Sequence, residues 1–211
     1  MTTATDRAET MTIVMGGDAY LNEQTTRDLR RAACAAYPDA DVAELDATNL
    51  DQYAFQEAVG PSLLSERSIV MLDNLQNADE SLGETMAQWC RDAQHEAVSA
   101  VVIARHEGGV KGKRIVNQLV SAGAKQCKVP DLKRDDAKLN FVMQQFERRR
   151  RTVSADAAQE LVGVLGGKTG ELAAMCEQLC CDFDDDPIDM RRVDQYLTAN
   201  PQVTGFAVAD E

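Results

Sequence analysis

Three stretches of this chain place glycine beside charged residues at a spacing that could handle phosphate. A phosphate-binding loop needs glycines, so that backbone amides reach the oxygens, and a lysine to neutralise them. The first stretch is Gly16-Gly17-Asp18-Ala19-Tyr20-Leu21, between an apolar run and a helical pattern. It lacks a lysine and puts a carboxylate where phosphate charge would lie, which argues against nucleotide binding. The second, Gly166-Gly167-Lys168-Thr169, ends like a phosphate loop. However, the motif's first glycine would fall on Val162, and no strand precedes it, so it reads as a helix terminator. The third, Gly108-Gly109-Val110-Lys111-Gly112-Lys113-Arg114, follows a strand but has no Ser or Thr after the lysine and is one residue short. It reads as a basic loop, with Lys111, Lys113 and Arg114 as candidate weak contacts to a phosphate backbone.

Other chemistries find less support. Asp73 ends an apolar run, as a metal-binding or phosphoacceptor aspartate would. A receiver domain would need an acidic pair after the first strand, and only Asp18 is there. It would also need Ser or Thr at the end of the fourth strand, where Arg105 stands. The two histidines, His95 and His106, have no evident nucleophile. The six cysteines, Cys34, Cys90, Cys127, Cys176, Cys180 and Cys181, form no Cys-x-x-Cys pair. They read as small buried hydrophobes in a reducing compartment rather than as zinc ligands or disulfides. The run Glu147-Arg148-Arg149-Arg150-Arg151-Thr152 reads as a solvated helix end, where cations suit the helix dipole. No catalytic constellation, metal or cofactor is expected.

The elements that position these residues follow from the apolar pattern. Strands are predicted at Thr12–Met15, Asp41–Leu45, Ile69–Leu72, Ala100–Ala104 and Lys125–Val129. Between them lie helices, the first with an apolar stripe of Leu21, Leu29, Ala32, Ala33 and Ala36. The second, Leu50 to Val59, is expected to cover the sheet with Tyr53 and Phe55. The others run from Leu82 to Gln94, with the only Trp, Trp89, and from Ile115 to Ser121. Alternating strands and helices predict an α/β domain, a five-stranded parallel sheet with helices on both faces, over residues 11–131.

After Pro130 only helical spacing remains, predicting a small helical lid domain over 132–200. Its stripes are Leu139, Val142, Met143 and Phe146; then Ala158, Leu161, Val162 and Leu165; then Leu172, Met175, Cys176 and Leu179; then Val193 and Leu197. Ser154 and Asp189 are the expected caps. Residues 1–10 read as a disordered lead-in without a signal-peptide core. Residues 201–211 carry Val203, Phe206 and Val208 without a complete element and read as the start of a truncated third domain.

The chain has 211 residues, 44% of them hydrophobic and 5% aromatic, and a net charge of −13. The core is therefore aliphatic, and tight nucleic-acid binding by the chain as a whole is disfavoured. No segment approaches membrane-spanning length, so a cytoplasmic protein is expected. One apolar pair has no obvious core partner. Leu63-Leu64 stands in Pro61-Ser62-Leu63-Leu64-Ser65-Glu66-Arg67, after the Gly60-Pro61 stop and just ahead of the apolar run Ser68-Ile69-Val70-Met71-Leu72-Asp73-Asn74-Leu75. Connections lie on the surface, so the pair either folds back into the core or receives a partner.

Four segments, in order, resemble the delta subunit family of the bacterial DNA polymerase III clamp loader. They are Val14-Met15-Gly16-Gly17-Asp18-Ala19-Tyr20-Leu21; Ser62-Leu63-Leu64-Ser65-Glu66-Arg67 leading into a strand; Leu161-Val162-Gly163-Val164-Leu165-Gly166 with Glu171-Leu172 and Glu177-Gln178-Leu179; and Val203-Thr204-Gly205-Phe206-Ala207-Val208-Ala209-Asp210. The resemblance covers residues 11–211. It implies an AAA+-like domain without a working phosphate loop, a lid and a collar domain of which only the start is present. It implies no catalysis by this chain itself, but a component of a DNA polymerase complex acting in DNA replication. It implies that Leu63 and Leu64 plug into the sliding clamp (the beta subunit) and help open it, with Arg67 and Asn74 as supporting contacts. Further implied partners are the gamma/tau and delta prime subunits, and DNA indirectly or weakly; no membrane is implied. The alternative is a nucleotide-binding ATPase or a receiver-like signalling domain.

Overall fold

The computed structural model describes residues 10–61, 65–95 and 99–199. The expected lead-in over 1–10 therefore lies outside the described residues except for Thr10, and so does the whole of 201–211. The chain divides into two compact units, with the boundary between Pro130 and Asp131.

The first unit alternates strands and helices. They are β1 (Met11–Met15), α1 (Ala19–Ala36), β2 (Asp41–Asp46), α2 (Gln52–Val59), β3 (Ser68–Asp73), α3 (Glu80–Asp92), β4 (Ala100–His106), α4 (Lys113–Ser121) and β5 (Lys125–Lys128), with a 3₁₀ turn at Leu75–Asn77. The strands form one sheet in the order β2-β3-β4-β1-β5, and every neighbouring pair is parallel. The period of two along each strand divides the core into two layers. Met11, Ile13, Val70, Leu72, Val102 and Ala104 face the layer built with α2, α3 and α4, through Phe55, Val59, Leu82, Met86, Ile115, Val116 and Leu119. Val14, Ile69 and Ile103 face the opposite layer, closed by Ala33, Leu21 and Leu29 of α1. The central strands are apolar on both faces because both are covered, whereas β2, at an edge, is largely exposed.

Two helix faces differ from the sequence expectation. On α1 the buried positions are Asn22, Thr26 and Ala33, while Ala32 and Ala36 are exposed. Two polar residues take the inward face because their hydrogen bonds are met locally: Thr26 Oγ1 donates to the Asn22 carbonyl at 2.8 Å, and Asn22 Nδ2 donates to the Gly16 carbonyl at 3.0 Å. Of the two aromatics expected to cover the sheet from α2, only Phe55 does, edge-on to Trp89 with ring centroids 6.0 Å apart. Tyr53 is 70% exposed, because two residues along a helix turn it about 200° away from Phe55.

The second unit holds α5 (Asp135–Glu147), α6 (Ala155–Leu165), α7 (Thr169–Asp182) and α8 (Met190–Ala199). Its interior is Phe141, Val142, Phe146, Leu161, Leu165, Leu172, Cys176, Leu179, Ile188, Val193 and Leu197. Met143 is exposed, and Phe141 takes the inward place on α5. Ser154 precedes α6 but makes no side-chain cap; its hydroxyl bonds the Asp156 carboxylate instead. Asp189 does cap α8, accepting from Arg192 N at 3.2 Å.

The arginine run is only partly solvated. Arg148 and Arg150 are exposed, Arg149 pairs with Glu177 at 3.0 Å, and Arg151 donates to the carbonyls of Phe183 at 2.7 Å and Asp185 at 2.5 Å. Of the cysteines, Cys90 and Cys176 are buried and Cys181 is exposed. Burial pushes the Cys90 and Cys176 thiols up to about 12, which leaves them as protonated apolar filler.

The contrast on α2 is directly measurable. Phe55→Ala should cost about 3–5 kcal/mol of unfolding free energy, and Tyr53→Ala should stay within about 0.5 kcal/mol of the parent. Urea unfolding of both variants checks the assignment.

Candidate functional site

In an open parallel sheet, ligands collect at the carboxyl ends of the strands, where the chain reverses its winding direction. That point here lies between β4 and β1. A cleft of about 400 Å³ opens there, lined by Gly16, Gly17, Ala19, Asn22, Asp73, Asn74, Gln76, Arg105, His106 and Glu107.

The β1–α1 turn forms one wall. Gly16 and Gly17 both have positive φ, 62° and 76°, which glycine adopts without strain. A Cβ on Gly17 would lie 2.4 Å from the Val129 carbonyl oxygen, so the turn is pressed against the end of β5. Gly16 N donates to the His106 carbonyl and Asp18 N to the Pro130 carbonyl, each at 2.9 Å. Asp18 then caps α1: its carboxylate accepts from Tyr20 N at 3.0 Å and Leu21 N at 3.2 Å. The helix N-terminus, which would otherwise offer free amides to an anion, is thus closed by the chain's own carboxylate.

The floor of the cleft is a chain of internal bonds. The parallel register sets Leu72 beside Ala104, so Asp73 and Arg105 emerge together and pair at 3.2 Å. Arg105 Nε also donates to Asn22 Oδ1 at 3.3 Å. Asn74, in a left-handed conformation with φ 57°, donates to Asp46 Oδ2 at 2.8 Å. Thr48 and then Asn74 hold the Asp46 carboxyl below the usual carboxylate range. Gln76 Oε1 accepts from Glu107 N at 3.3 Å.

His106 sits at the end of β4, only 1% exposed. Its Nδ1 accepts from Gly108 N at 2.8 Å, and Nε2 lies 2.9 Å from the Lys111 carbonyl. An amide donor at Nδ1 leaves the proton on Nε2, so the ring is neutral and staples the 108–111 loop at both ends. Burial pushes its pKa below the ordinary 6.5, partly offset by the Lys111 carbonyl and Glu107.

The residues singled out by sequence fall in separate places. Leu63 and Leu64 lie outside the described residues. Arg67 is exposed, with its guanidinium 4.5 Å from the centre of the Tyr37 ring. Asn74 belongs to the cleft, at the other end of β3 from Arg67, roughly 20 Å away at about 3.3 Å per residue. The structure therefore does not bring these two together. Lys111 Nζ donates to Asn77 Oδ1 at 2.5 Å, Arg114 pairs with Glu80, and Lys113 is exposed at the start of α4. Two of the three basic groups thus already have partners. Sequence reasoning missed Asn22, Gln76 and Tyr37; only the opposite charges ending two apolar runs, Asp73 and Arg105, gave a signal. Among the described residues no group of His, Cys, Asp and Glu is arranged to hold a metal, and no helix is long and apolar enough to cross a membrane.

By sequence the chain matches no protein-family model and no curated protein. By structure it is similar to the Bacillus subtilis DNA clamp loader delta protein (YqeN), with a TM-score of 0.68 at 15% identity, over 94% of this chain and 61% of that one. It is also similar to a variant of Thermotoga maritima RuvB, with a TM-score of 0.50 at 12% identity, over 90% of this chain and 61% of that one. The fold is AAA+-like. The chain spans 61% of the length of both proteins. At these identities the likeness is one of fold, a sheet domain followed by helices in the manner of a clamp-loader protein.

The neutral His106 gives a pH signature with a definite sign. A pKa lowered on folding means the unfolded state binds more protons below about 6.5, so its contribution is complete above that pH and is lost as pH falls through it. Comparing urea unfolding at about pH 7.5 and about pH 5.5, the parent should lose more stability on acidification than His106→Gln. Equal losses would remove the neutral-staple assignment.

Proposed function

We propose that this chain is a clamp-loader delta subunit: a protein-binding module that binds the DNA polymerase III sliding clamp and helps open it, without hydrolysing ATP itself. The observation that carries this is the closed phosphate position. In an AAA+-like fold the turn after β1 would have to cradle phosphate, yet here it is two glycines followed by Asp18, whose carboxylate takes the Tyr20 and Leu21 amides. An incoming phosphate would meet a like charge and amides already bonded. Arg105, which lines the same cleft, is held by Asp73 and Asn22. These features favour a binding module over the ATPase alternative, and the likeness to a clamp loader delta protein agrees with them.

On this proposal Leu63 and Leu64 are the clamp-binding pair, partner ATPase subunits (gamma/tau and delta prime) drive the cycle, and contact with DNA is indirect or weak, through Lys111, Lys113 and Arg114. Burying two leucines is worth about 1.5–3 kcal/mol each. A micromolar complex needs about 8 kcal/mol net of association costs. The pair is thus an anchor within a larger interface, and further groups near it must contribute.

The test is a clamp-binding titration with the parent and the Leu63→Ala/Leu64→Ala double variant. Binding should fall at least about 100-fold, with the melting temperature within a few degrees of the parent. Collapse of the melting temperature would place the leucines in the core. A rise in melting temperature with millimolar ATP and magnesium would favour the ATPase alternative, since a ligand bound only by the native state must stabilise it.

A further inference from the structure

The amino end of β3 carries a second built feature, beside the position where the leucine pair enters. The connection after α1 and the segment entering β3 enclose a groove of about 470 Å³, lined by Ala36, Tyr37, Pro38, Asp39, Ala40, Ser65, Glu66 and Arg67. Both walls are fixed. Tyr37 N donates to the Ala33 carbonyl at 2.9 Å and Ala40 N to the Tyr37 carbonyl at 3.2 Å. Asp41 ties the walls together: its amide donates to the Arg67 carbonyl at 3.1 Å, and its Oδ2 accepts from Ser65 Oγ at 2.6 Å.

Arg67 lies with its guanidinium carbon 4.5 Å from the Tyr37 ring centre. A guanidinium presents five N–H donors in a rigid fork. Among the described residues none of these donors has a hydrogen-bond or ion-pair acceptor, whereas Arg27, Arg30, Arg105, Arg114, Arg149 and Arg192 each have one. Stacking on the ring favours this placement of the group, so part of the entropy of ordering a long side chain is spent before a partner arrives.

We infer that the Tyr37–Arg67 stack is a preorganised anchor for a backbone carbonyl of the partner that receives Leu63 and Leu64. The inference rests on that proposed clamp-binding role. Arg67 is three residues beyond Leu64, so at most about 11 Å of extended chain separates them, and a surface engaging the pair reaches the groove. A carbonyl fits better than a carboxylate, because Asp39 and Glu66 line the same groove and repel a full negative charge. The chain itself uses this chemistry elsewhere, where Arg151 donates to the carbonyls of Phe183 and Asp185. Arg67 would touch the partner; Tyr37 acts through Arg67 and is a positioning residue.

The experiment is a titration of the sliding clamp against single and paired variants of the full chain, with melting temperatures recorded. Arg67→Ala should weaken binding about tenfold, in line with a charge-assisted hydrogen bond. Arg67→Lys should lose most of that, since an ammonium keeps the charge but not the planar fork. Tyr37→Ala should weaken binding several-fold, Tyr37→Phe should restore it, and Tyr37→Ala/Arg67→Ala should bind no worse than Arg67→Ala. A purely structural Tyr37 would instead lower binding in step with the melting temperature and independently of Arg67. Parent-like binding by Arg67→Ala, while the leucine variant fails to bind, overturns the anchor and leaves the proposed function standing. An Arg67→Ala loss that vanishes steeply with added salt would assign the partner group as a carboxylate and overturn the carbonyl. Parent-like binding by the leucine variant, or no binding by the parent, overturns the proposed function, and the anchor falls with it.

Discussion

The β1–α1 turn is the constraint on which the rest of the sheet unit depends. Gly17 is pressed so closely on the Val129 carbonyl that a Cβ there would lie at 2.4 Å, and the Asp18 amide is bonded to the Pro130 carbonyl. These contacts fix the start of α1 against the end of β5. Gly16 fixes it against the end of β4, through the His106 carbonyl and an approach that leaves a Cβ on Gly108 only 2.9 Å from Gly16 Cα. With the turn so placed, Asn22 one helical turn later reaches both the Gly16 carbonyl and Arg105. Arg105 in turn reaches Asp73. The ends of β1, β3, β4 and β5 and the start of α1 are thereby joined by hydrogen bonds and an ion pair in a cleft where open sheets usually hold a ligand.

Much of this was legible in the sequence. Among the described residues the five strands and eight α-helices follow from periods of two and 3.6, because central strands covered on both faces must be apolar and helix stripes must match the layer they cover. The Asp18 cap on α1 was legible too, because the aspartate after Gly16-Gly17, with no lysine beside it, is visible residue by residue. What remained hidden depends on tertiary partners. Asn22 and Thr26 carry no apolar signal, and they are buried because Gly16, Arg105 and the helix's own carbonyls satisfy them. Tyr53 and Phe55 look equivalent in composition, and only the helical phase separates them. Arg151 reads as one of four surface arginines until the Phe183–Asp185 carbonyls turn back on it. Tyr37 has no local signal, because its partner Arg67 lies 30 residues on and meets it only when β2 pairs with β3.

The two ends of β3 consequently differ in what they can offer a partner. At the carboxyl end, Asp73, Asn74, Gln76, Arg105 and His106 are each already bonded. A ligand there must break an internal hydrogen bond for each one it makes, so its net gain per contact is small. At the amino end, Arg67 is held by an aromatic face and has no acceptor to release among the described residues. A partner carbonyl arriving there breaks no bond within the fold, and the side chain is already biased towards one placement by the Tyr37 ring. Recognition chemistry should therefore concentrate at the amino end of the strand, beside the segment that carries Leu63 and Leu64, while the polar groups at the carboxyl end are committed to bonds within the fold.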